Sequence, residues 1–268
     1  MKLDIFQIDA FTDTVFGGNP ACVVPLHEWL PDAVLLSIAK ENAVAETAFF
    51  IDNGYETVHL RWFTPEIEMD LCGHATLATA HVLSAHRHYP NETIHFTTQS
   101  GILRVSVEQT NGEQNRYTLD FPSRKAVPAP LPEILRQSFS KQPFEVLQAR
   151  DFLLVYETEQ DVRDIQVHRQ IFDQINLDPG GVIVTARGTT CDFVSRFFTP
   201  QASILEDPVT GSAHCSLIPY WSERLGKEEL TALQVSERVG RLWCVDKGER
   251  VLIQGTARTY SVGTIWTE

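Results

Sequence analysis

The sequence predicts an α+β protein of two similar halves, each a strand-rich sheet curled around one buried helix. Three observations lead there: short stretches that alternate apolar and polar residues, two helical stretches that are apolar nearly all round, and a pair of segments that occurs twice in the same order.

The alternating stretches are 2–8, Val58–Phe63 (Val58, Leu60 and Trp62 on one face), 103–107, 182–184 and 251–253. A period of two marks half-buried strands, and short connections make their pairing mostly antiparallel. Helical spacing is rarer. Residues 33–42 carry Leu35, Ile38 and Ala39 on one face after a Pro31-Asp32 start, and 164–175 align Ile165, His168, Phe172 and Ile175. Residues 73–86 and 211–225 have almost no polar face, which places such helices inside something. Pro219 removes one internal hydrogen bond from the second of these, so a kink or a compensating contact is expected there. Residues 122–143 hold Pro128, Pro130, Pro132 and Pro143 and read as a linker or boundary. The expected domains are therefore 1–122 and 123–268, with the C-terminal strand allowed to cross back to the first.

At 268 residues and 43% hydrophobic, the chain has ample material for one large core or two ordinary ones. Its net charge of −13 repels phosphate backbones and anionic lipid, which argues against nucleic acid or membrane as a partner. Charged residues form no long runs, and no apolar run approaches the roughly 20 residues of a spanning helix. The first six residues alternate like a strand and lack a signal-peptide pattern. Five widely spaced cysteines without a CxxC pair suggest a reducing cytoplasm. The histidines form neither HExxH nor a Cys/His knuckle, so no metal is expected.

The repeat carries most information. Arg61-Trp62-Phe63-Thr64-Pro65 precedes Cys72-Gly73-His74-Ala75, and Arg196-Phe197-Phe198-Thr199-Pro200 precedes Thr210-Gly211-Ser212-Ala213, with three more residues between elements in the second copy. Each Arg-aromatic-Phe-Thr-Pro segment reads as a strand end with a turn. Each second element opens a buried helix. Gly73 and Gly211 permit close backbone approach, and the first amides of a helix carry uncompensated positive charge. Two such starts facing one cleft would hold a carboxylate without metal or arginine. The plainer alternative is a structural helix capped by Thr210 or Ser212.

Three side chains offer chemistry. Glu46 sits among small and apolar residues in Asn42–Phe50, and a poorly solvated carboxyl is suited to accept and return a proton near neutrality. Asp207 could cap the second helix, accept from a substrate, or orient His74. His74, at the first helix start, could donate to an anionic intermediate or relay a proton.

Asp9-Ala10-Phe11, Phe16-Gly17-Gly18-Asn19-Pro20, Glu46-Thr47-Ala48-Phe49, the first repeat and Glu206–His214 together resemble the phenazine-biosynthesis PhzF-like isomerases of the diaminopimelate-epimerase fold superfamily. The resemblance implies two pseudo-symmetric domains, each an antiparallel β-barrel wrapped around a central α-helix, and a homodimer without metal or organic cofactor. It implies Glu46 as the acid/base, His74 and Asp207 as groups that polarise the substrate, and Gly73, Gly211 and Ser212 as substrate-binding. The family's characterised reaction isomerises a dihydro-hydroxyanthranilate, one candidate among small carboxylates.

One position departs from the superfamily's racemases and epimerases, which place a cysteine in each half: Cys72 matches the first, but Thr210 stands at the second. Cys215 reads as a core thiol. A helix start would lower the pKa of Cys72 and make it reactive, whereas packing alone would leave it inert. The leading expectation is a cofactor-independent isomerase of a small carboxylate metabolite. The alternatives are a racemase or epimerase using Cys72, and a non-catalytic metabolite-binding protein.

Overall fold

The computed structural model describes residues 1–52, 54, 57–109, 115–177 and 180–268. The chain forms two compact units: Met1–Asp120 with Ile253–Glu268, and Phe121–Leu252.

The first unit runs β1 (Lys2–Ala10), β2 (Asn19–Leu26), α1 (Asp32–Asn42), β3 (Glu46–Ile51), β4 (Val58–Phe63), β5 (Glu68–Met69), α2 (Gly73–His81), a π turn (Val82–His86), β6 (Thr93–Thr98), β7 (Gly101–Glu108) and β8 (Arg116–Pro122). The second runs β9 (Val127–Pro128), α3 (Glu133–Ser138), β10 (Glu145–Gln148), β11 (Phe152–Val155), α4 (Glu159–Asp164), α5 (Arg169–Phe172), β12 (Val182–Arg187), β13 (Phe193–Phe198), β14 (Glu206–Asp207), a 3-10 turn (Gly211–Ala213), α6 (His214–Leu225), β15 (Glu229–Gln234) and β16 (Gly240–Asp246). β17 (Arg250–Gly255) carries the chain back, and β18 (Ala257–Trp266) pairs antiparallel with β1.

Most pairings are antiparallel, but among the described residues each unit has two parallel ones: β2 with β3 and β4 with β6, then β11 with β12 and β13 with β15. A parallel pair needs a crossover, and each is bridged by helix: α1, then α2, then α4 and α5 together, then α6. The second crossover in each unit is the buried helix. Gly73 through Ala80 are all buried, and α2 packs against β1, β2, β3, β7 and β18. The core beneath α1 holds Leu35, Ile38, Phe49 and Phe63, and a comparable cluster around Phe139, Phe172 and Phe198 lies in the second unit. Each such aromatic contributes about 1.5–3 kcal/mol by leaving water.

The duplication extends beyond the repeated letters. Arg61 Nε and Nη2 donate to Glu68 at 2.7 Å each, across β4 and β5. Arg196 does the same to Glu206 at 2.7 and 2.8 Å, across β13 and β14. Each guanidinium also lies over the phenylalanine two residues on, Phe63 or Phe198. The three extra residues fall in the turn before Glu206, so the fork that joins strand to turn is kept intact.

Several expectations need correction. Residues 164–175 form no single helix. A capping box of Thr158 and Asp161 starts α4 earlier, the backbone turns extended at Ile165, and Val167 bridges to Phe139 before α5 begins. His168 is exposed there, while Ile165 and Phe172 are buried. The proline-rich 122–143 follows the boundary between the units at Asp120 and Phe121, but it holds regular structure where a loose linker was expected. Pro128 sits in β9 and Pro132 precedes α3, whose Leu135, with Phe139 just beyond, is buried in the second core. Residues 73–86 change from α to π geometry at Val82. Pro219 leaves the carbonyl of Cys215 without its helical partner, and the Arg124 amide donates to it at 2.9 Å. Among the described residues no helix is long and apolar enough to cross a membrane.

Candidate active site

β3 begins at Glu46, three residues after the left-handed Ala43 that ends α1, and α2 begins at Gly73. These two starts bring Glu46 Oε2 to 3.0 Å from His74 Nε2. The His74 side chain is 4% exposed and that of Glu46 15%. The carboxyl is thus sheltered yet reaches solvent along one edge. On the other side of the ring, His74 Nδ1 lies 3.1 Å from Asn19 Nδ2 and 3.7 Å from Cys72 Sγ.

Burial works against a charged His74, but the facing Cys72 and Glu46 more than offset it, and the His74 pKa lies well above the ordinary value. The Cys72 thiol goes the other way from the reactive-cysteine expectation. Burial first, and then the Glu46 charge, push it up to about 11 despite the helix start. Cys72 is thus held as a thiol, and the Glu46 carboxyl faces the buried imidazole of His74.

Glu46, Cys72 and His74 also form a potential metal-ligand trio, one ligand atom from each and all within 4.8 Å of one another.

In the second unit Asp207, Thr210, Gly211 and Ser212 form one turn, organised by the buried Gln234 of β15. Gln234 Oε1 accepts from the Thr210 amide at 2.8 Å, while Nε2 donates to the Asp207 carbonyl at 2.7 Å and to Thr210 Oγ1 at 3.2 Å. Thr210 Oγ1 in turn donates to Asp207 Oδ2 at 2.5 Å. The hydroxyl at the position of the superfamily's second cysteine is therefore committed on both sides. No side chain caps the 3-10 turn, so Thr210 and Ser212 do not serve as simple caps. Arg150 Nη2 donates to Ser212 Oγ at 3.3 Å, which puts an arginine beside a turn expected to work without one.

The expected residues thus gather in two clusters, Glu46, Gly73 and His74 in the first unit and Asp207, Gly211 and Ser212 in the second. Asn19, Arg150 and Gln234 complete them. Asn19 stood in the Gly-Gly-Asn-Pro motif, but nothing local in the sequence marked Arg150 or Gln234.

A doubled β-sheet scaffold with buried crossover helices, carrying an acid beside an imidazole at one helix start, defines a protein of the epimerase fold. Its structure superposes on a hydroxyproline epimerase from Agrobacterium vitis with a TM-score of 0.63 at 10% identity, covering 98% of this chain and 92% of that one, which shows the fold alone. The chain belongs to the phenazine biosynthesis-like (PhzC-PhzF) family, whose sequence model matches residues 8–263. It is 48% identical over 267 residues to an uncharacterized isomerase of Pseudomonas aeruginosa, covering 99% of each chain. It is 36% identical over 294 residues to a human phenazine biosynthesis-like domain-containing protein, again covering 99% of each. A PhzF-family structure from Enterococcus faecalis matches with a TM-score of 0.92 at 44% identity over 100% of both chains.

Proposed function

We propose that the protein is an isomerase that moves a proton within a small, cyclic carboxylate metabolite, with Glu46 as the acid/base. The observation that carries this reading is Glu46 Oε2 held 3.0 Å from His74 Nε2 on a ring that is itself buried. A carboxylate fixed this way accepts a carbon-bound proton and returns it to a second carbon, and the imidazolium offsets the charge that develops meanwhile. The isomerase naming of close relatives supports the reaction class. Asp207, Ser212 and the Gly73 and Gly211 helix starts take the substrate's carboxylate and polar substituents, a role that rests on family resemblance. The same resemblance supports a homodimer acting without an organic cofactor, and the unpaired cysteines support a cytoplasmic setting.

The racemase alternative is disfavoured by two observations. Cys72 holds its proton, and the counterpart Thr210 hydroxyl is already donated to Asp207.

Candidate cyclic carboxylates incubated in deuterated water, with carbon-bound hydrogen followed by NMR, test the reading. Wild-type protein is expected to wash deuterium into two carbons of its substrate, and Glu46→Gln to lose about 10²–10⁴ of that rate. Equal rates for the two proteins would remove Glu46 from the chemistry.

A further inference from the structure

We propose that Arg150 binds the carboxylate of the substrate and restricts the protein to acids. The repeat sets Ser212 after Gly211 as it sets His74 after Gly73, so the two residues are counterparts. Each receives one charged group from a strand start. Glu46 Oε2 lies 3.0 Å from His74 Nε2, and Arg150 Nη2 lies 3.3 Å from Ser212 Oγ. Gly181 holds the register in the second copy that Glu46 holds in the first, and it offers no side chain. The group that reaches the turn instead is a cation, carried just before β11, the parallel neighbour of β12. Where one copy of the repeat has an acid, the other has a guanidinium. The inference deepens the isomerase reading and rests on its assignment of the Asp207–Ser212 turn to the substrate.

Arg150 is held in place for this use. Its Nε donates to Asp151 Oδ1 and Oδ2 at 3.2 and 3.3 Å, and Asp151 is 1% exposed. Asp151 Oδ1 also accepts from the Gly181 amide at 2.9 Å, so the carboxylate that orients the guanidinium is anchored to the backbone. The Nε edge is spent on that pair. The Nη1–Nη2 end remains for a second planar acceptor with two oxygens, which is the geometry of a carboxylate. The bond to Ser212 is long and its acceptor neutral, so a charged oxygen is the stronger partner for Nη2. The local field agrees. Burial raises the Cys215 thiol to about 11, and the Arg124, Arg150 and Arg250 charges pull it down against the Asp151 charge. Three cations and one anion thus bear on the start of α6, in a protein whose net charge is −13. A small anion gains there what it loses over the rest of the surface.

The assignment has a direct chemical signature. A carboxamide has nearly the shape of a carboxylate, but it carries no charge and puts an NH₂ donor where the fork needs a second acceptor. The difference in affinity between an acid and its amide therefore reads the guanidinium. Lysine at the same position keeps the charge and loses the two-point geometry.

Full-length protein titrated by calorimetry with benzoate, anthranilate and cyclohexene carboxylate, each beside its carboxamide, tests the assignment without turnover. For the ring that the wild type binds best, the acid is expected to bind at least about tenfold tighter than the amide. Arg150→Gln is expected to abolish that preference by weakening the acid alone, with the amide held within about twofold. Arg150→Lys, which keeps a cation beside Asp151, is expected to lose at least about threefold of the preference, and it carries the test if the glutamine variant does not fold. An arginine that served structure alone would weaken acid and amide alike. Equal wild-type affinities for acid and amide in every pair, a preference that survives Arg150→Gln, or an unchanged preference in Arg150→Lys would each overturn the proposal. Failure of the deuterium experiment removes Glu46 and leaves these affinities standing, whereas failure here removes Arg150 and leaves the Glu46 chemistry.

Discussion

Glu46 and Gly181 occupy the same place in the two units. Each immediately precedes the residue that faces the phenylalanine of the repeated strand, Thr47 opposite Phe63 and Val182 opposite Phe198. The acid of one copy is therefore a glycine in the other. A Cβ at 181 would stand 2.5 Å from Phe197 Cζ and 2.7 Å from the Phe198 carbonyl oxygen. The duplicated scaffold has room for one acid at this register, and the isomerase reading uses one.

Gly181→Ala is accordingly expected to destabilise the protein by about 1–3 kcal/mol, since the Phe198 backbone cannot swing aside. Urea denaturation measures it. A variant as stable as wild type would show that the second copy could have carried a side chain, and that its loss has no packing reason.

Cys72 separates the two enzymatic readings. Because burial keeps its thiol protonated, Cys72→Ser is expected to lower deuterium exchange by less than about tenfold, against the 10²–10⁴ of an acid/base deletion. A loss as large as that of Glu46→Gln, measured in the same NMR assay, would favour the thiol.

Gln234 holds the Asp207–Ser212 turn from beneath. Gln234→Leu strips the Thr210 amide of its acceptor and the Asp207 carbonyl of its donor inside a buried site. Two such groups left unpaired are expected to cost about 2–4 kcal/mol, read as a lower urea midpoint.

Acid should weaken the fold through two histidines. Burial first, with the His86 and Arg258 charges behind it, lowers His81 to about 4, and burial does the same to His214 against the pull of the Thr210 carbonyl. With folded values below 6.5, the unfolded chain takes up protons that the native state refuses. Stability present above pH 6.5 is thus lost progressively as pH falls toward 4 and levels off below. His74 acts in the opposite window. Its raised value contributes stability present below 6.5 and lost as pH rises through the folded pKa. Urea midpoints at pH 7, 6 and 5 should fall, and His214→Gln should flatten that slope by at most about 1.4 kcal/mol per pH unit.

Much of the scaffold was readable along the chain because its causes are local. The strand Val58–Phe63 and the helix after Pro31 follow from side-chain periodicity within one element. The burial of α2 follows from its having almost no polar face, and the contact that compensates Pro219 from the missing amide of proline itself. The reading of 164–175 failed because apolar spacing fits a helix equally well when two short helices and a β-bridge use the same residues. There the Thr158–Asp161 capping box and the bridge to Phe139 decided the geometry.

Composition, periodicity and the repeated motifs were enough to establish the doubled architecture and to single out Glu46, His74 and Asp207. Folding settled who meets whom. Asn19 reaches His74 across 55 positions, Arg150 reaches Ser212 across 62, and Gln234 reaches Thr210 across 24. It also settled the sign of the Cys72 shift, where a helix start and burial compete and desolvation wins. Such outcomes depend on distances and solvent exclusion, which arise between residues far apart along the chain and leave no local pattern to read.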